Sequence, residues 1–430
     1  MLIKTKYCLM LILAINLLLP SGMGVLIGGV ALNSSKIVLL LSILLILTIL
    51  YFRGKTTFSL YGGDWWVTLF LFGIVFCAFM TGILYVESIG VAITLLLISL
   101  SWCVAYFSIY FLGRLMPTSE IEIDWLLKGV LWLLVVGALI GVLEYILKIN
   151  FYGEFAKAFG LSDIGGIGGM MYRGDQVRAR SAFDQSIAFG FAMVVGYILN
   201  EKLSESRRAI SHYLINAVFF VALMVSFSRS AIAAFFIYWF YANYSISRKF
   251  FKLGILLLFL AVLALLITQI DKVFYFDEAM NSGDGNLLVR FRDFEFAGDV
   301  LNNSPWLGLG VGVLHNATIF ESIYPDLFAS YDGALDNMML SVLVESGIVG
   351  LIFYIGIIFG VFRMANKLTS DIEKRYLIGL GIVFLMASLS YDLFIFPGFG
   401  RLLLLLIAFC VTGAQFTQCY KTDKSLKAKE

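Results

Sequence analysis

The sequence predicts an all-α polytopic membrane protein with about 12 transmembrane helices. Three observations carry the prediction. Of the 430 residues, 60% are apolar and only 14% are charged, where an average soluble domain carries roughly 25% charge. Mean hydropathy is +0.92, and a soluble globule of this size cannot bury that much apolar surface because its exterior must stay wet. The apolar residues also fall in runs of about 20, the length a helix needs to cross the hydrocarbon core. Disorder, fibrous repeats and a disulfide scaffold are excluded by the same composition.

Taken in order, helices are expected near residues 8–31, 36–52, 65–83, 89–112, 125–147, 182–200, 211–227, 230–245, 252–270, 338–362, 376–395 and 401–419. The first run continues past Pro20 into further apolar sequence, so it reads as a retained span rather than a cleavable signal. Residues 1–430 form one integral membrane domain. Two connections are long, 148–181 and 271–337, and their mixed apolar and aromatic content predicts short helices on the membrane surface. The lysine-rich end, 420–430, reads as a solvated cytoplasmic tail.

Orientation follows from Lys and Arg, which accumulate on the cytoplasmic side. With both termini inside, the alternate connections carry Lys4 and Lys6, Arg53 and Lys55, Arg114, Lys202 with Arg207 and Arg208, Arg248 with Lys249 and Lys252, and Arg363 through Arg375. Both long loops then lie outside. Arg173, Arg178, Arg180, Arg229, Arg290, Arg292 and Arg401 break that rule. Each alone has an ordinary explanation, an ion pair with a neighbouring acid such as Asp175, Asp293 or Glu295. As a group they fit a shared anionic ligand, since guanidinium is a planar, permanently charged fork suited to phosphate oxygens.

The remaining chemistry is sparse. A net charge of +2 gives no support to a nucleic-acid partner. The two histidines, His212 and His315, and the five cysteines lack metal-ligand spacing, so neither metal nor cofactor is expected. Gly160–Gly169 and Gly308-Leu-Gly310-Val-Gly312 lack a GK[ST] sequence and read as sharp turns with close backbone approach. Ser226-Phe-Ser228-Arg229-Ser230 lies at the outer end of a tight helical hairpin; Arg229 either snorkels to headgroups or lines a cavity that meets a charged lipid. In the helical segment 290–299, Arg290 and Arg292 point to different faces, and Arg290 is favoured for the shared site. Phe291, Phe294 and Val300 are expected on the membrane surface. Asp336, at the mouth of the next span, either caps the helix or serves as a general base if burial raises its pKa. Glu345 lies about two turns further in, where an acid is a functional candidate unless it pairs with an arginine.

Ser228-Arg229-Ser230-Ala231, then Arg290 ahead of Asn303-Ser-Pro305-Trp306-Leu-Gly308-Leu-Gly310-Val-Gly312, then Asp336-Asn337 ahead of Glu345-Ser-Gly347-Ile-Val-Gly350, resembles the O-antigen ligase/polymerase superfamily. The similarity covers about 178–362 and includes Arg178 and Arg180. The resemblance implies a GT-C-like bacterial inner-membrane glycosyltransferase with a periplasmic active site. Its partners would be the lipid bilayer, an undecaprenyl-pyrophosphate-linked oligosaccharide and a chain-length regulator of the same pathway. It implies Asp336, Arg229 and Arg290 as catalytic residues, with Arg178, Arg180, Asn337 and Arg292 binding substrate. Ligases of this pattern carry His-Asn where this chain has Asp336-Asn337, which leans toward a Wzy-type polymerase. Arg180, ten residues before Gly190, matches one polymerase signature; a His…Asn-Arg loop is absent, so the ligase reading stays open. His315-Asn316 lies well before the helix mouth and is set aside. A lipid-linked glycan flippase is the rival from another class, although matching halves are not visible. A cell-wall glycosyltransferase of the shape-and-division group is another.

Overall fold

A computed structural model describes residues 2–27, 30–53, 64–86, 88–163, 169, 171–173, 176–204, 210–243, 286–314, 316–329, 331, 335, 337–393 and 397–427. The span expected at 252–270 lies outside them, as do Asp336 and His315. Among the described residues, seven helices are long and apolar enough to cross a membrane.

The chain runs α1 (Leu2–Leu18), a hairpin of β1 (Met23–Ile27) and β2 (Val30–Asn33), then α2 (Ser34–Arg53), α3 (Asp64–Leu84), α4 (Ile89–Leu115) and α5 (Glu120–Leu147). Next come α6 (Phe151–Ala158), β3 (Ser162–Asp163), β4 (Met171–Arg173) and β5 (Gln176–Arg178). The helices α7 (Ser186–Ser204), α8 (Ile210–Val225) and α9 (Arg229–Asn243) follow. Beyond them lie α10 (Asn286–Asn303), α11 (Ala317–Ile323), α12 (Pro325–Ala329), α13 (Met338–Ala365), α14 (Asp371–Ser388) and α15 (Pro397–Lys427).

Two expectations are corrected. The first span ends at Leu18, not 31. The apolar residues beyond Pro20 form a β-hairpin, with Gly24 opposite Asn33 and Ile27 opposite Val30. Proline and glycine stop the helix, and the next residues satisfy their backbone across a turn instead. The 148–181 connection contains one short helix but also strands: β3 extends the first hairpin, and β4 pairs with β5. Alternating side chains on either side of a Gly-Asp dipeptide favour a hairpin there.

The most enclosed helices are α7 and α15. From Ile187 to Leu199 α7 is apolar on every side, as a helix surrounded by others must be, and it packs against α5, α8, α9 and α14. Gly190 lets it approach the α8–α9 turn closely; a Cβ there would stand 2.8 Å from the Ser226 hydroxyl and 3.0 Å from Ala231 and Ser228. α15 packs along α4, and α3 lies between α4 and α13. At one end of this bundle Arg114 forms a two-pronged pair with Asp64, Nε to Oδ1 at 2.9 Å and Nη2 to Oδ2 at 2.8 Å. Tyr110 donates to the same carboxylate at 2.6 Å, and Thr412 accepts from Arg114 at 2.9 Å. This buried cluster fastens α3, α4 and α15 together.

Candidate functional site

The opposite end of the bundle gathers the arginines. α8 and α9 are joined by Ser226-Phe227-Ser228, with Phe227 at φ 49°. The Ser226 hydroxyl donates to Leu223 O at 2.6 Å and accepts from Ser228 N at 3.2 Å. The Ser228 hydroxyl accepts from Ala231 N at 3.4 Å, capping α9. Arg229 is therefore the first residue of α9, and its side chain is exposed. The strand β5 arrives beside this turn: Ala179 N donates to Val225 O at 3.1 Å, and Arg178 Nε donates to Ser226 O at 3.3 Å. Two arginines from distant sequence thus flank one turn.

Arg180, two residues on, turns inward and is buried. Its guanidinium donates to Gly169 O at 2.6 Å. The backbone N–H groups of Arg180 and Ser181 both donate to Glu144 Oε2, at 3.3 and 2.8 Å. Glu144 comes from the last turns of α5 and holds the strand-to-helix corner in place. Asp184, three residues further, accepts from the Ser21 backbone N–H at 3.1 Å and the Ser21 hydroxyl at 2.6 Å. Burial pushes the Asp184 carboxyl above its usual range, against the pull of the Ser21 bonds, Arg180 and Arg401.

Arg401 is the residue that sequence reasoning placed outside but gave no role. It is buried on α15, donates from Nε to Ala105 O at 3.1 Å, and lies 5.8 Å from the Tyr106 ring centroid. Glu144 on α5, Glu345 on α13, Arg401 on α15, and Arg180 and Asp392 in the connections are all buried charged residues. Glu144, Asp184 and Asp392 were missed because nothing local distinguishes a site acid from a capping one; only the fold sets their surroundings.

The Gly308–Gly312 segment occupies a break in α13. Gly347 sits at φ 63°, ψ −167°, a backbone conformation essentially reserved for glycine. The break frees carbonyls at Val344 and Glu345, which accept from Leu309 N and Gly310 N at 2.9 Å each. Beyond the break, Ile348 N donates to Pro305 O at 3.0 Å and Val349 N to Trp306 O at 3.3 Å. The Glu345 carboxylate accepts from Gly312 N at 2.9 Å. Glu345 thus pins the glycine segment, and the expected sharp turns are present, with positive φ at Gly308, Gly310 and Gly312.

At the mouth of α13 the cap is Asn337, whose Oδ1 accepts from Met339 N at 2.9 Å and Leu340 N at 3.2 Å. The capping role considered for Asp336 belongs to its neighbour. Arg290 falls within α10, but its side chain lies outside the described residues. Arg292 is exposed on α10, which rests chiefly on α12 and α13. Phe294 is exposed as expected, whereas Val300 is fully buried beside Phe296 and Ala297. The inward stripe of α10 is Phe296, Ala297 and Val300, at helical spacing against α13.

No curated protein matches the chain. Residues 214–355 match the family model described as O-antigen ligase. The match runs from α8 into α13 and takes in Arg229, the α10 arginines, the glycine segment, Asn337 and Glu345; Arg178 and Arg180 precede it. Over 214–355, about a third of its length, the chain is thus similar to the O-antigen ligase family, which supports the resemblance to the O-antigen ligase/polymerase superfamily.

Proposed function

We propose that this chain is a Wzy-type polysaccharide polymerase of the bacterial inner membrane. It transfers a growing glycan from undecaprenyl pyrophosphate onto a lipid-linked repeat unit, and the arginine-bearing end faces the periplasm. The observation that carries the reading is the placement of Arg178 and Arg229 at the α8–α9 turn, with Arg180 on the same strand-to-helix corner.

Breaking the glycosyl–phosphate bond leaves a pyrophosphate with concentrated negative charge. Arg229 and Arg178 are the groups that stabilise it, helped by Arg290; Arg292 and Asn337 bind the glycan and Arg180 orders the corner. Preorganised guanidinium groups act without reorganising in the transition state, and the reaction in this scheme needs no metal or other cofactor. Asp336 accepts the proton of the acceptor hydroxyl. The polyprenyl tails lie in apolar grooves between helices. A chain-length regulator of the same pathway is the expected protein partner.

The family description favours a second reading, an O-antigen ligase that transfers finished polymer to lipid A-core. Deletion of the gene followed by analysis of surface glycan separates the two. Lipid A bearing a single repeat unit supports the polymerase. Bare lipid A with accumulated lipid-linked polymer supports the ligase and overturns the polymerase.

A further inference from the structure

At the end of the bundle opposite the arginine turn, a cavity of about 360 Å³ opens between α7, α8, α9 and α14. Its wall carries Lys202 and Arg375, together with Tyr213 and Trp239. The carboxylate of Glu201 also lies there but is committed internally. It accepts from Asn216 Nδ2 at 2.7 Å and lies 3.0 Å from His212 Nε2. Asn200 Nδ2 donates to Asn216 Oδ1 at 2.8 Å and to His212 O at 3.1 Å, and lies 3.1 Å from His212 Nδ1. Asp371, one turn before Arg375, is exposed at the start of α14. Lys202 Nζ stands 4.6 Å from the Tyr376 ring centroid, which holds the ammonium at the wall.

We infer that this cavity binds a phosphate group, presented by the headgroup of an anionic membrane lipid. Two cations beside tyrosine and tryptophan at the end of a helix bundle match that chemistry. Aromatic rings of this kind sit at headgroup level, and basic pockets between transmembrane helices bind anionic headgroups. The occupant would bridge α7 to α14. α7, α8 and α9 run from this cavity to the arginine turn; α7 has 19 residues, spanning about 28 Å. A bound phosphate would therefore brace the same three helices that hold Arg229.

The test is binding, so it stands apart from the catalytic proposal. Full-length protein in nanodiscs of phosphatidylcholine is titrated with phosphatidylglycerol, and in a parallel arm with inorganic phosphate, for wild type, Lys202→Gln, Arg375→Gln and the double variant. Melting without added ligand checks that each variant is folded. The expected result is weaker phosphatidylglycerol binding, by roughly fivefold for each charge removed. Equal competition by inorganic phosphate would also support a phosphate site, with a free anion as its source. Wild type showing no preference for phosphatidylglycerol or phosphate, or folded variants binding like wild type, would overturn the proposal.

Discussion

Replacing Gly347 with alanine tests whether the broken helix is a required feature of the site. The substitution forces an L side chain into φ 63°, ψ −167°, a conformation that costs of order 1–3 kcal/mol for a non-glycine residue. The added Cβ would lie 2.2 Å from Trp306 C and 2.4 Å from Leu307 N. Both are backbone atoms, so the 305–309 segment must move as a unit. That movement strains the four bonds that cross the break: Leu309 to Val344, Gly310 to Glu345, Ile348 to Pro305 and Val349 to Trp306. Losing two or three of them adds about 1 kcal/mol each, for a total of roughly 3–6 kcal/mol. Thermal unfolding in detergent reads the loss, with surface-glycan length read in parallel. Gly298→Ala is the control, because nothing lies within 4 Å of its Cβ; it should be neutral or slightly stabilising. If Gly347→Ala melts like wild type and supports normal polymer, the brace has no role in holding this end together.

Arg229→Ala and Arg290→Ala should each abolish long-chain polymer while the protein remains folded; normal chain length in both would sink the leaving-group role. Asp336→Asn should keep substrate binding and lose turnover, whereas wild-type activity in Asp336→Ala would move the base elsewhere. Arg114→Ala strands Asp64, whose side chain is 2% exposed, and should cost roughly 3–5 kcal/mol of stability, seen as a lower melting temperature. Asp184 gives a pH signature. Its pKa is raised in the folded protein, so the fold holds a proton more tightly than the unfolded chain does. Its contribution is therefore fully favourable below the unfolded value of about 4 and is lost as pH rises through the folded value. Ser21→Ala removes the 2.6 Å bond that favours the ionised form, so melting should fall further at neutral pH than in acid; an equal loss at both would contradict this.

Hydropathy made most of the helical frame readable, because a membrane helix is apolar along its whole length. It misplaced the end of α1, since Met23–Ile27 is as apolar as a span, and only the turn at Pro20 and the pairing with Val30–Asn33 mark it as sheet. Arg229 and Arg178 were legible as arginines on the wrong side of the charge rule. Their placement at one turn was not, because Arg178 reaches Ser226 O only through β5 docking beside the α8–α9 turn. Arg401 obeyed the same signal, yet its burial against Tyr106 follows from α15 packing along α4. Glu144 and Asp184 gave no signal at all: their partners are backbone N–H groups and Ser21, and those contacts are set by tertiary structure. The glycine segment was read correctly as tight turns, but the break at Gly347 that it fills was not anticipated.

The most direct test of the central claim is reconstitution of the purified protein with lipid-linked single repeat units and no other enzyme. The account predicts a ladder of longer lipid-linked glycans with release of undecaprenyl pyrophosphate, and its loss in Arg229→Ala. No ladder from wild type, with transfer of preformed polymer to lipid A-core under the same conditions, would contradict it.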